Sequence, residues 1–347
     1  MPKRPDKFPV YLLTALVVLI ILGGLWLSYL LFGKATFNLK SDKAGWVYVY
    51  PGSEWSTVLD SLDRRMTNSR SYGIFGAIEK FNPGWSPKSG AYRIEPNTTV
   101  FSLFKRVANG HQTPVRLTFT SRRLPEEMWG QLSRRIMADS VSVAKAMTDR
   151  SLLKEIGVPD TTMAYRLIPN TYEVYWTIVP EDLVKKLEEE YRAFWTEERR
   201  SKAKELGLTP YEVSILASIV EEESAMTDEY PLIAGLYLNR LRLGIPLQAD
   251  PTVKFALKDF GLKRILRGHL SVDSPYNTYK YRGLPPGPIR IPSLQAIEGV
   301  LGAQKHKFLY MVAKPDFSGY HDFSETLSEH ALKAERYRQA LNERGIE

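Results

Sequence analysis

The chain has 347 residues, no cysteine, and 47 Lys plus Arg against 39 Asp plus Glu, a formal charge of +8. That length supports a sizeable core and more than one domain. The missing cysteines exclude a disulfide framework and thiolate metal sites, and no basic tract, zinc-finger spacing or recognition helix points to nucleic acid.

Residues 10 to 32, VYLLTALVVLIILGGLWLSYLLF, carry no charge and are long enough to span a bilayer as one helix. Lys3, Arg4 and Lys7 precede the run, with Asp6 the only acid there. The positive-inside bias puts residues 1–9 in the cytoplasm and the rest across the inner membrane, on the periplasmic side. The run exceeds a signal-peptide core and no clear small-residue cleavage site follows it. The expectation is an uncleaved anchor, followed by a linker over residues 33–44.

Gly45 to Tyr50 reads as a strand, and Pro51-Gly52-Ser53 as a turn into a helix through Leu62. A second helix is predicted over Gly73 to Phe81, broken at Asn82-Pro83-Gly84. Ala91 to Ile94 is a short strand, and the next helix runs through Phe101, Phe104 and Val107. This order makes a small α+β unit over residues 45–112, with no catalytic cluster. Residues 113–347 form a larger mixed α+β domain. Val115 to Thr120 alternates like a strand and leads into a helix from Pro125. Residues 138 to 160 hold one or two short helices, and Leu167 to Trp176 is aromatic and carries Glu173. Pro180 to Leu206 is predicted as one long helix with a solvated charged face.

Thr209 to Ser224, TPYEVSILASIVEEES, is the stretch on which the chemistry turns. Thr209 can cap a helix, Pro210 suits its first turn, and Glu212 can close a capping box. Val213, Leu216, Ile219 and Val220 mark one apolar face. At about 100° per residue, Glu223 falls inside that face, while Glu221 and Glu222 fall outside it and read as a solvated helix end. A carboxyl group among apolar neighbours resists ionisation, so it can hold a proton near neutrality and donate it. Tyr230 to Leu243 is the next helix, with Leu232, Leu236 and Leu243 in phase. Asp250 then offers an N-cap with Pro251 behind it. Residues 275 to 289, PYNTYKYRGLPPGPI, are a turn-rich loop. Phe308 to Ala313 reads as a buried strand, and a final helix closes the chain.

Phosphate-binding loops, H-E-x-x-H and nucleophile elbows do not occur, and the five histidines are scattered. What remains is one phased glutamate and polar loops rich in Asn, Gln, Asp and Tyr. Carbohydrate sites use such parts: a carboxyl acid, amides for hydroxyl and acetamide groups, aromatic faces for rings. Gln248, Asp250, Asn277 and Tyr279 are the candidate cleft residues. Helix capping competes as a role for Asp250, and a turn role for Asn277. Glu173 reads as a structural acid, and His321 as a structural histidine.

ILASIVEEES, LYLNRLRLGIPLQADPTV and PYNTYKYRGLPPGPI together resemble the YceG/MltG family of endolytic murein transglycosylases, over residues 209 to about 345. SGAYRIEP and its surroundings resemble that family's small LysM-like region. The resemblance implies an α+β protein with a single transmembrane helix, a LysM-like domain and a catalytic domain built on a lysozyme-like helix. It implies Glu223 as the catalytic residue, no metal or cofactor, and peptidoglycan strands as substrate. The bond would be that between N-acetylmuramic acid and N-acetylglucosamine, left as a 1,6-anhydro end, terminating nascent glycan. Peptidoglycan synthases are the protein partners it leaves room for. Asn170 departs from the pattern, since the resemblance implies an aspartate there. A lysozyme-like hydrolase and a non-enzymatic wall-binding scaffold stay open as alternatives. A hydrolase needs a second acid at roughly 5–9.5 Å, with Asp250 and Glu173 as candidates.

Overall fold

The computed structural model describes residues 8–32, 45–63, 80, 84–95, 98–158, 163–262 and 265–345. The chain divides into two compact units. The first comprises Met1–Arg116, Arg135–Met137 and Glu173–Ile178, and the second Leu117–Arg134, Ala138–Tyr172 and Val179–Glu347.

In the first unit, Phe8–Phe32 is one α-helix of 25 residues. Its described side chains, residues 11 to 26, are exposed. Among the described residues no helix is long and apolar enough to cross a membrane. Beyond it, Gly45–Val49 pairs antiparallel with Gly90–Ile94, and Val47 faces Tyr92 in the register. Val47 and Val49 point inward, as the period of two demands. They pack with Val58 and Leu62 of helix Trp55–Asp63 and with Leu103, Phe104 and Val107 of helix Val100–Asn109. Thr99 caps the latter by accepting from the Ser102 amide, and Gly110 ends it at φ 71°. The helix expected over Gly73 to Phe81 lies, apart from Lys80, outside the described residues, as does the linker over residues 33–44.

The second unit is organised on helix Pro210–Glu223. All residues from Val213 to Val220 are buried, so the helix is sequestered on every side and not on one stripe. Ser214 and Ser218 are buried too, at 2% and 0% exposure. Ser218 Oγ donates to the Ile215 carbonyl at 2.7 Å and accepts from the Ile289 amide at 3.0 Å, which satisfies it. Ile233, Ala234 and Leu236 of helix Tyr230–Arg242 and Ala296, Ile297 and Val300 of helix Leu294–Leu301 complete this core. The approach is close at Gly235, where an added Cβ would meet the Gln304 carbonyl oxygen at 2.3 Å.

Three expectations need correction here. The long charged helix is two, Pro180–Phe194 and Glu197–Glu205. Trp195 turns inward to 2% exposure, and Thr196 starts the second helix by accepting from the Arg199 amide. Glu188 on its charged face is buried and clamped by Arg166 and Arg192 at 2.6 and 2.7 Å. Leu243 is 63% exposed, since helix Tyr230–Arg242 has ended before it. The strand expected to be buried is Tyr310–Ala313, half-exposed because it belongs to a two-stranded sheet with His321–Ser324.

Candidate active site

Helix Pro210–Glu223 starts at a complete capping box. Thr209 Oγ1 accepts from the Glu212 amide at 3.2 Å, and the Thr209 amide donates to Glu212 Oε2 at 2.8 Å. The other end is held as firmly. Ser224 turns extended, and its Oγ donates to Glu229 Oε2 at 2.9 Å and accepts from the Met226 amide at 3.0 Å. Glu223 is therefore the last residue of a helix that ends abruptly.

Glu223 opens on a cavity of about 250 Å³, with Leu236, Tyr237, Leu247, Gln248, Asp250 and Tyr279 around it and Arg240, Tyr310, Met311 and His330 completing the wall. The residue keeps partial solvent access, while its carboxyl is enclosed by protein. Burial pushes its pKa up to about 7. The Tyr237 hydroxyl pulls the other way, donating to Glu223 Oε1 at 2.6 Å. Asp250 and Glu222 add to the rise by charge, and Lys254 opposes it. The helix C-terminus, with its unpaired carbonyls, also disfavours a carboxylate at this position.

Asp250, Gln248 and Tyr279 meet at the same cavity. Asp250 is the first residue of helix Asp250–Leu257, but Ala249 holds the cap position and no side chain caps it. The Asp250 carboxylate instead accepts from the Tyr279 hydroxyl at 2.6 Å. Burial first, and then that bond, raises the Tyr279 pKa. Gln248 sits at φ 53°, an uncommon region for a residue with a Cβ. Its backbone amide donates to the Thr278 carbonyl at 3.0 Å, and its Oε1 accepts from Arg240.

Asn277 does not join them, which corrects its expected cleft role. It is fully buried, and its Nδ2 donates to the Leu270 and Val272 carbonyls at 2.9 Å each. Its Oδ1 accepts from the Tyr279 amide at 3.1 Å, so it shapes the loop that presents Tyr279. Glu221 and Glu222 are not a solvated end either, each side chain being 10% exposed. Glu222 takes Arg123 in a fork at 2.7 and 2.6 Å and Arg290 at 2.8 Å. Glu221 accepts from the Ser293 amide at 2.7 Å. Glu173 is exposed on strand Thr171–Val174 and does not line the cavity. His321 Nδ1 lies 2.9 Å from Glu229 Oε2, a satisfied, partly buried pair. Asn170 is exposed, its Oδ1 accepting from the Thr171 amide.

Tyr237, Arg240, Tyr310 and His330 are site residues that the sequence reading did not single out. Arg240 carried a usable signal. It lies one turn beyond Leu236 and two beyond Ile233, so the phase argument that isolates Glu223 also places a cation on an apolar face. Tyr310 and His330 come from a strand and a helix distant in the chain, and no local pattern announces them. Among the described residues no cluster of His, Cys, Asp and Glu could hold a metal ion.

A family model described as "YceG-like family" matches residues 47–336. A Bacillus subtilis (strain 168) protein named endolytic murein transglycosylase is 36% identical over 167 residues, covering 47% of this chain and 44% of that protein. A Streptococcus pneumoniae (strain D39) protein of the same name is 28% identical over 346 residues, covering 88% and 61%. The chain thus spans less than two thirds of these relatives' length. The crystal structure of a yceG-like protein from Listeria monocytogenes matches with a TM-score of 0.55 at 25% identity, covering 84% of this chain and 99% of that one.

Proposed function

The chain belongs to the YceG-like family, and on that premise we propose that it is a membrane-anchored lytic transglycosylase of peptidoglycan. The observation that carries the reading is one carboxyl group, Glu223, enclosed at a cavity wall with its pKa raised to about 7 by burial. Such a group is protonated often enough at neutral pH to act as an acid. The printed name of the curated relatives supports the same substrate.

In the mechanism, Glu223 donates its proton to the oxygen between N-acetylmuramic acid and N-acetylglucosamine. The C1–O bond breaks and positive charge develops at C1. The carboxylate then takes the proton of the muramoyl C6 hydroxyl, whose oxygen closes on C1 as the 1,6-anhydro ring. The nucleophile comes from the sugar, so one carboxyl group suffices. Internal cleavage that terminates nascent strands, a LysM-like role in glycan contact for residues 45–112, and a bilayer anchor through residues 10–32 belong to this proposal. Meeting with peptidoglycan synthases belongs to it as well.

Asp250 favours a second reading, a lysozyme-like hydrolase. It shares the cavity and acts on Glu223 by charge. Product ends separate the two. The full chain in detergent, incubated with purified murein, is expected to leave anhydro ends by mass spectrometry. Reducing ends would install the hydrolase. Glu223→Gln is expected to lower the rate by about 10²–10⁴-fold. Undiminished cleavage would remove Glu223 from the chemistry and leave a wall-binding scaffold as the better account.

A further inference from the structure

Arg240 is a cation that the acid step does not use. It is only 6% exposed, yet it lines the cavity. Its Nε donates to the Pro246 carbonyl at 3.0 Å, its Nη1 to the Leu309 carbonyl at 2.9 Å, and its Nη2 to Gln248 Oε1. All three acceptors are neutral. A guanidinium carries five N–H donors, so these bonds do not exhaust it. Among the described residues Arg240 forms no ion pair, and burial lowers its pKa. A charge enclosed without a counter-ion is costly, and a clamp on carbonyls alone would not need an open cavity beside it.

The neighbours repeat the pattern. Arg240 lies over the Tyr310 ring at 5.6 Å, and the His330 ring stacks on the same tyrosine at 5.4 Å. His330 Nδ1 is buried with no hydrogen-bond partner, and the residue too lines the cavity. Burial, Arg240 and Lys333 hold its pKa down. Lys333 donates to the Phe323 carbonyl at 2.6 Å, again a neutral acceptor. Basic groups gather here, their described hydrogen bonds go to neutral acceptors, and one ring nitrogen is left without any.

We propose that Arg240 and His330 form a carboxylate subsite, which rests on the transglycosylase reading and extends it to the acidic part of the substrate. A carboxylate offers two coplanar acceptors, the partner a guanidinium fork matches best. The muramoyl unit can supply it in two ways. Strands stripped of peptide expose the lactyl carboxylate, and intact strands carry the carboxylates of the stem peptide.

The test uses the full chain in detergent and murein in three forms: intact, intact with its carboxylates converted to carboxamides, and stripped of peptide. Amidation is expected to raise KM at least about tenfold with kcat little changed, the scale of one charge-assisted hydrogen bond. Stripped strands that behave like intact ones show that the freed lactyl carboxylate fills the subsite in place of the stem peptide's. Stripped strands that behave like amidated ones assign it to the stem peptide. In Arg240→Gln the amidation penalty should vanish. An unchanged kcat/KM on amidated murein, or a full penalty in Arg240→Gln, overturns the subsite. The native protein's response to amidation stands alone if that variant fails to fold.

A binding measurement separates this from the activity. In Glu223→Gln protein, N-acetylmuramic acid should shift the Arg240 Nε resonance and N-acetylglucosamine should not. Equal shifts with both sugars, or no shift with either N-acetylmuramic acid or its peptide-bearing form, sink the subsite. The selective shift, together with native protein that yields no anhydro ends, would sink the transglycosylase reading and leave the subsite standing.

Discussion

A proton on Glu223 and a hydrogen bond from Tyr237 set the character of the site at the scale of single residues. The Tyr237 hydroxyl has one hydrogen and gives it to Oε1, so the proton to be delivered rides on Oε2. The bond favours the carboxylate and offsets part of the burial. The sign for pH follows. Glu223 is protonated below about 7 and ionised above it, so the proposed acid catalysis is expected at low pH and to fade as pH rises through that value. Tyr237→Phe removes the donor, leaves the ring, and raises the proton affinity of Glu223. The alkaline limb of kcat/KM is expected to move to higher pH. A limb that stays or moves down would show that the hydroxyl does not govern the carboxyl.

Helix Pro210–Glu223 as an element is held by what lies on its back. Glu221 and Glu222 turn away from the cavity and tie its last turn to Arg123, Arg290 and the Ser293 amide. Glu222→Ala would leave Arg290, 18% exposed, without its main partner. The expected cost is about 2 kcal/mol in urea unfolding, read mostly from the Arg290 side because Arg123 is 44% exposed and screened. Cleavage should also fall, since the same turn aims Glu223. A variant with native stability and rate would reduce the network to surface decoration. The capping box at the other end explains why this helix is legible in sequence at all. Thr209, Pro210 and Glu212 are local signals, and each capping bond between Thr209 and Glu212 spans three residues.

The proposed anchor and the two compact units belong to the whole molecule. Full-length chain is expected in the membrane fraction of expressing cells, and chain lacking residues 1–32 in the soluble fraction. Recovery of both forms in the soluble fraction would remove the anchor from the proposal. Much of the architecture could be read without coordinates. The strands at Gly45 and Ala91, the cap at Thr209 and the phase of Glu223 are short-range patterns of period and capping, which a chain displays in its own order. The split at Trp195, the burial of Ser214 and Ser218 and the loop role of Asn277 are not of that kind. Each depends on which distant segment covers the residue, as Ile289 covers Ser218.

By itself, the sequence determined a capped helix ending in three acids, with Gln248 and Tyr279 in turns and Asp250 at a helix start after it. Only the tertiary structure decided that Tyr237, Arg240, Tyr310 and His330 share a cavity with Glu223, and that Glu221 and Glu222 are clamps. Periodicity reports the direction a side chain takes from its own helix. What it meets there is set by packing between elements scores of residues apart, and that meeting fixes proton affinity, charge pairing and access.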